Sequence, residues 1–80
     1  MAELNHDGVF VFDANAKTIT RKATSVYPYR RTTLGSGTAR ILEAVREGIQ
    51  RQIMVNPRDT EFLVAVWQDV LWTYFCQWEN

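Results

Sequence analysis

The sequence predicts an α+β fold in which an N-terminal β-hairpin or small three-stranded antiparallel sheet is followed by two packed α-helices. Three observations support this fold class: a β-branched and aromatic run that ends in turn residues, a helical apolar period over residues 36–55, and a proline-marked second helix over residues 57–79. The chain has 80 residues, which is enough for one small core and too few for two. We therefore expect a single domain over residues 1–80, with residues 1–7 flexible and residues 8–33 forming the β region.

The β region begins with an apolar run at residues 8–12, and residues 13–17 contain the Asp and Asn that favour a reversing turn. A second strand is expected to begin at Thr18 and to weaken after Lys22. Residues 26–29 offer a third strand, which is expected at an edge because its proline has no N–H to donate to a ladder. Both faces of the first strand are apolar, so we expect it to lie centrally or to be covered on both sides.

The first helix is expected at residues 36–55, after a glycine- and serine-containing break that offers Ser36 or Thr38 as its N-cap. Its apolar stripe consists of Ile41, Leu42, Val45, Ile49 and Ile53. Its polar side consists of Arg40, Glu43, Arg46, Glu47, Gln50 and Arg51. Ala44 and Gly48 flank the apolar stripe and are small enough to let another backbone approach closely.

The second helix has a clear start signal, with Asn56 as N-cap, Pro57 at the first helical position and Asp59 near the positive end of the helix dipole. One side of this helix is a continuous apolar arc, which we expect to supply most of the core. The arc consists of Leu63, Val64, Trp67, Val70, Leu71, Tyr74, Phe75 and Trp78. We expect Trp67 and Leu71 to be buried against Ile41, Val45 and Ile49 of the first helix.

Trp72 does not belong to the apolar arc of the second helix, because it projects among polar residues. Phe62 and Val66, one turn apart, fall on the same side of the helix. An exposed tryptophan surrounded by polar groups is the residue type most enriched in binding hot spots. We therefore interpret Phe62, Val66 and Trp72 as a partner or oligomer interface, with burial of Trp72 beneath the hairpin as the alternative.

Charge is distributed unevenly along a chain that has nine basic and nine acidic residues. Residues 14–42 contain six basic residues and no acid, whereas the segments before and after them are both acidic. Cations interleaved with tyrosines are typical of nucleic-acid-binding surfaces, although an acidic protein surface is an equally good partner and a solvated hairpin is the remaining alternative. We call the following residues the basic patch: Lys17, Arg21, Lys22, Tyr27, Tyr29, Arg30, Arg31 and Arg40.

The sequence contains no set of residues from which a catalytic or metal site is expected. Nucleophilic catalysis requires a nucleophile with a base in reach, and the chain has one histidine, His6, and one cysteine, Cys76. These two residues cannot supply the four ligands of a structural zinc, and a cysteine in an apolar helix is expected to be a packed thiol. We therefore expect no enzymatic activity, no cofactor and no metal.

A single cysteine fits a reducing compartment, and neither a secretory signal nor an apolar run long enough to span a bilayer is evident. We expect a cytoplasmic protein that does not enter a membrane.

These observations favour a non-catalytic protein-binding module: an adaptor, accessory subunit or inhibitor that docks on or occludes a larger assembly, such as a nucleic-acid-handling machine. The alternative is a small, dimeric nucleic-acid-binding protein that uses the basic segment at residues 17–40. The order of strand and two helices resembles that of the ribbon-helix-helix repressors, which implies a DNA-binding dimer, although those proteins have one short strand where this chain has a hairpin. A self-assembling structural subunit is the third hypothesis.

Overall fold

The structure, a computed structural model, describes residues 9–22 and 30–79, with side chains up to residue 76. Several expectations therefore lie outside the described residues. They are the flexible segment 1–7, His6, the third strand at residues 26–29 with Tyr27 and Tyr29, and the side chain of Trp78.

The prediction of an antiparallel sheet followed by two helices is confirmed. Strands β1 (Phe10–Asp13), β2 (Thr18–Arg21) and β3 (Arg30–Thr33) form a sheet in the order β1-β2-β3, with both pairs antiparallel. The sequence of β3, Arg-Arg-Thr-Thr, gives little strand signal because it has no apolar residue. In the structure Thr32 is its one buried residue, and the two arginines before it are exposed.

The turn between β1 and β2 is organised by Asp13, whose Oδ1 accepts the backbone N–H groups of Asn15 at 3.0 Å and Ala16 at 3.1 Å. These bonds are the physical basis of the turn preference of Asp. Lys17 closes the turn in the left-handed region, with φ of 56°.

Strand β1 lies at an edge of the sheet and not at its centre, which corrects our expectation. Phe10 and Phe12 are buried against the helices, whereas Val11 is half-buried and Val9 is exposed on the opposite face. The outer edge of β1 is instead covered by α2 (Thr60–Glu79). The Gln68 carboxamide accepts the Phe10 N–H at 2.8 Å and donates to the Phe10 carbonyl at 3.2 Å, so a side chain takes the place of a neighbouring strand.

Helix α1 spans Ser36–Val55 and is followed by a 3-10 turn at Pro57–Asp59, so that α2 begins at Thr60 and not at residue 57. A 3-10 turn is a common way to begin a helix. Asn56 occupies the corner, because its N–H donates to the Gln52 carbonyl and its own carbonyl accepts the Asp59 N–H at 3.0 Å.

The expected capping side chains do not act as caps. The N-cap of α1 is Gly35, and not Ser36 or Thr38, and it makes no side-chain capping bond. Asn56 does stand at the N-cap of the 3-10 turn, but its side chain makes no capping bond either.

The buried face of α1 is rotated from the one that the apolar stripe predicted. Ile41, expected in the core, is 53% exposed, whereas Ala39, Leu42 and Ile53 are buried. Arg46, expected on the polar side, is half-buried with its guanidinium carbon 5.5 Å from the centroid of the Phe12 ring. A long aliphatic stem and a favourable contact between cation and ring allow an arginine to cover this part of the core.

Helix α2 contacts α1 and two strands of the sheet, but it supplies three of the ten buried core residues of the described chain, and not most of them as we expected. Its residues Trp67, Leu71 and Phe75 are fully buried. Val45 and Ile49 of α1 are partly buried and pack against the core, as expected. The buried cluster consists of Phe10, Phe12, Ile19, Leu34, Ala39, Leu42, Ile53, Trp67, Leu71 and Phe75.

Candidate binding surfaces

The side of α2 that faces away from the core carries apolar residues at helical spacing. Its members recur every three or four residues, two of them together with the residue that follows, and all fall on one side of the helix at about 100° per residue. We call this surface the outer face of α2, and it consists of Phe62, Ala65, Val66, Asp69, Trp72, Thr73 and Cys76. Val66 and Cys76 are half-buried and the other five are exposed.

Trp72 is 45% exposed, which answers the question that the sequence left open. One side of its indole packs on the Phe10 ring, with the ring centroids 5.6 Å apart. Phe10 is in turn fixed by Phe75, at 5.2 Å between centroids, and by the backbone bonds to Gln68. Trp72 is therefore an exposed aromatic that packs on the core beneath it.

Phe62 is the most exposed large hydrophobic residue of the described chain, at 68%. It lies ten residues before Trp72, which corresponds to about 15 Å along the helix axis. Phe62, Val66 and Trp72, singled out from the sequence as one interface, are thus placed on one helix face but not in one compact cluster.

Polar groups on and beside this face bond to neighbouring backbone atoms. The Thr73 hydroxyl donates to the Asp69 carbonyl at 3.1 Å, and both polar ends of the Gln68 carboxamide bond to Phe10. Among the seven residues of the outer face, Asp69 is the one with a charged side chain.

The described members of the basic patch do not form one continuous surface. Lys17 lies at the hairpin turn, where its Nζ donates to Ser36 Oγ at 3.1 Å and its carbonyl accepts the Leu34 N–H at 2.8 Å. Arg40 is exposed one turn further along α1. These two cations lie at one end of the sheet.

The other described members of the basic patch lie at the opposite end of the sheet. Arg30 pairs with Arg21 and Arg31 pairs with Thr20, about 10–13 Å along the strands from the turn. Arg30 and Arg31 are exposed and Lys22 is half-buried. Arg21 is only 8% exposed, with its guanidinium carbon 5.2 Å from the centroid of the Phe75 ring, so it belongs to the interior and not to an exposed surface.

Helix α1 presents two further features. A shallow groove of about 380 Å³ is lined by Arg46, Glu47, Gln50, Arg51 and Met54. Its lining mixes both signs of charge and therefore selects neither an anion nor a cation. Around the helix from this groove, Ile41, Ala44 and Val55 are exposed, and a Cβ added at Gly48 would meet no atom within 4 Å. The small residues noted in the sequence are therefore not used for close packing within the described structure.

Within residues 9–22 and 30–79, no three residues among His, Cys, Asp and Glu are grouped so that they could hold a metal ion. No helix in that part of the chain is long and apolar enough to cross a membrane. Comparison with protein-family models, curated proteins and solved structures found no match to this chain.

Proposed function

We propose that this protein is a non-catalytic, cytoplasmic protein-binding module that docks on a partner through the outer face of α2. The observation that carries the proposal is Trp72, which is 45% exposed while its indole packs against the Phe10 ring. A rigid aromatic loses little conformational entropy on binding, which is why tryptophan dominates hot spots. The module acts as an adaptor, accessory subunit or inhibitor, since docking on or occluding a larger assembly requires no chemistry of its own.

The proposal predicts that partner binding depends on Trp72 and Phe62 and not on exposed apolar side chains elsewhere. The full-length chain is used to capture its partner from a lysate of the native host, and the affinity of the recovered complex is then measured. We expect Trp72→Ala to cost about 2 kcal/mol or more of binding, roughly a thirtyfold loss of affinity. Phe62→Ala is expected to weaken binding in the same direction.

Two controls separate binding from folding. Met54 on α1 is 64% exposed, close to the exposure of Phe62, so Met54→Ala removes a comparable surface group from another face. Phe62→Ala should change stability by no more than about 0.5 kcal/mol, whereas Trp72→Ala also loses a ring contact worth about 0.5–1.5 kcal/mol. If both alanine variants fold and still bind the partner, the outer face of α2 is not the binding surface.

The second candidate is direct nucleic-acid binding, which the exposure of Arg30 and Arg31 at one end of the sheet favours. Phosphate neutralisation makes affinity fall steeply with salt, so titration of DNA and RNA at several salt concentrations separates the two functions. Salt-dependent binding that is lost in an Arg30→Glu, Arg31→Glu double variant and kept in Trp72→Ala would support this candidate against the docking module.

A further inference from the structure

The outer face of α2 has the spacing of a helix-pairing seam. Phe62, Ala65, Asp69, Trp72 and Cys76 follow one another at intervals of three, four, three and four residues. A second helix can pack along such a row, with its own side chains inserted between these. The seam is about 21 Å long, which matches two heptads of a partner helix.

The seam is acidic at its centre and has no basic residue along its length. Asp69 is the middle member of the seam, with Phe62 seven residues before it and Cys76 seven residues after it. The whole of α2 contains Glu61, Asp69 and Glu79 and neither lysine nor arginine. A carboxylate covered by an apolar partner would lose its hydration, which is unfavourable unless the partner supplies a cation or hydrogen-bond donors.

A second copy of the same face is a poor occupant. Because Asp69 stands at the midpoint of the seam, an antiparallel copy in full overlap brings Asp69 opposite Asp69. A parallel copy in register does the same, since equivalent positions of a parallel pair face each other. Both arrangements place two like charges together in a partly desolvated interface, which disfavours symmetric pairing.

From this spacing and charge we propose that the outer face of α2 binds one amphipathic helix of a partner protein, with an arginine or lysine of that helix opposite Asp69. The inference rests on the proposed function and names the chemistry of its partner. The apolar residues of the partner helix cover Phe62 and Trp72, and its central cation pairs with the carboxylate, with arginine able to do so through two parallel hydrogen bonds. Asp69 then selects the partner and its register, as a single polar residue in a helix seam does.

The test uses three synthetic helical peptides of about 21 residues with leucine at the two seam positions of each heptad. They differ only at the central position, which is Arg, Leu or Glu, and each is labelled and titrated as a monomer with the full-length protein while anisotropy is measured. We expect the Arg peptide to bind the wild-type protein at least about tenfold more tightly than the Glu peptide. In Asp69→Arg the order should reverse, because the charge on the protein side of the pair has been exchanged.

Glu47→Arg is the matched control, because it makes the same change of net charge at an exposed position of α1. It should keep the preference of the wild-type protein for the Arg peptide. Equal affinities for the three peptides would overturn the inference. An order of affinities that Asp69→Arg leaves unchanged would overturn it as well.

The oligomeric state tests the competing occupant. Light scattering should report a wild-type monomer, and Asp69→Leu should increase self-association because it makes the seam continuous and apolar. A wild-type dimer that Phe62→Ala dissociates would show that the occupant is a second copy and overturn the inference.

The inference and the proposed function fail in different ways. Loss of native-partner binding in Phe62→Ala, with no preference among the peptides, would keep the proposed function and reject only the charged helix. Native-partner binding that is retained in both alanine variants, Phe62→Ala and Trp72→Ala, would reject the function itself.

Discussion

Phe10 connects the edge strand, the core and the proposed binding surface. Its N–H and carbonyl bond to the Gln68 side chain, and its ring contacts Phe75 on the inner side and Trp72 on the outer side. The orientation of the exposed tryptophan and the position of the edge strand are therefore coupled through a single residue. A change that loosens β1 is expected to loosen the proposed binding surface as well.

Lys17 adopts a backbone conformation that is unfavourable for a residue with a side chain. Its φ of 56° lies in the left-handed region, where a side chain costs about 1 kcal/mol and glycine does not. The sequence gives no warning of this, since Asn15 in the same turn is the residue type that adopts this conformation more readily.

We predict that Lys17→Gly raises the stability of the domain by up to about 1 kcal/mol, because the relief of the left-handed backbone exceeds the entropy cost of glycine. Loss of the exposed bond from Lys17 to Ser36 should matter little by comparison. A thermal melt measures the effect, and for a chain of this size it corresponds to a rise of several degrees. Ala16→Gly, at a neighbouring turn position outside the left-handed region, is the control and should lower stability.

At the scale of the elements, α2 covers the outer edge of β1, where a further strand would otherwise pair. Edge strands with unpaired backbone groups are prone to pair with other chains, and proteins commonly cover them. Here the Gln68 carboxamide presents a donor and an acceptor in the arrangement that a peptide group would present. The edge of β1 at Phe10 is thereby closed by a side chain that the sequence pattern marked only as polar.

We predict that Gln68→Met, which keeps the length of the side chain and removes both bonds, lowers stability by about 1–3 kcal/mol, because two backbone groups of a buried residue lose their partner. Hydrogen exchange of the Phe10 amide should accelerate more than that of amides in the β1–β2 ladder. Gln52→Met, at an exposed position of α1, should leave both quantities unchanged. Unaltered protection of the Phe10 amide in Gln68→Met would contradict the assignment of this bond.

At the scale of the whole molecule, stability depends on a core to which α1 and α2 each contribute three buried residues, and α1 does so through a face that is rotated from the one its sequence indicates. Leu71 is fully buried between the other elements, whereas Ile41 is 53% exposed. The two residues are both large aliphatic side chains on predicted core stripes, so they form a matched pair for measurement.

We predict that Leu71→Ala lowers the free energy of unfolding by about 2–5 kcal/mol, because it removes apolar contacts and leaves a cavity. Ile41→Ala should cost only a small fraction of that amount, since most of its side chain already contacts water. Denaturant unfolding of both variants measures the difference. Equal losses in the two variants would place Ile41 in the core, as the sequence predicted.

The order of elements, the positions of both turns, the range of α1 and the buried stripe of α2 were all determined by the sequence, because turn residues and apolar periods act over short distances along the chain. The candidate residues Phe62, Val66 and Trp72 were identified from the same helical period. Tertiary structure decided the rest. Strand β1 lies at an edge of the sheet, Arg46 and not Ile41 packs over the core, and Arg21 is buried and not part of an exposed basic surface. Each of these depends on which element packs against which face, and a helical period fixes the angles between side chains of one element but not the direction from which its neighbours arrive.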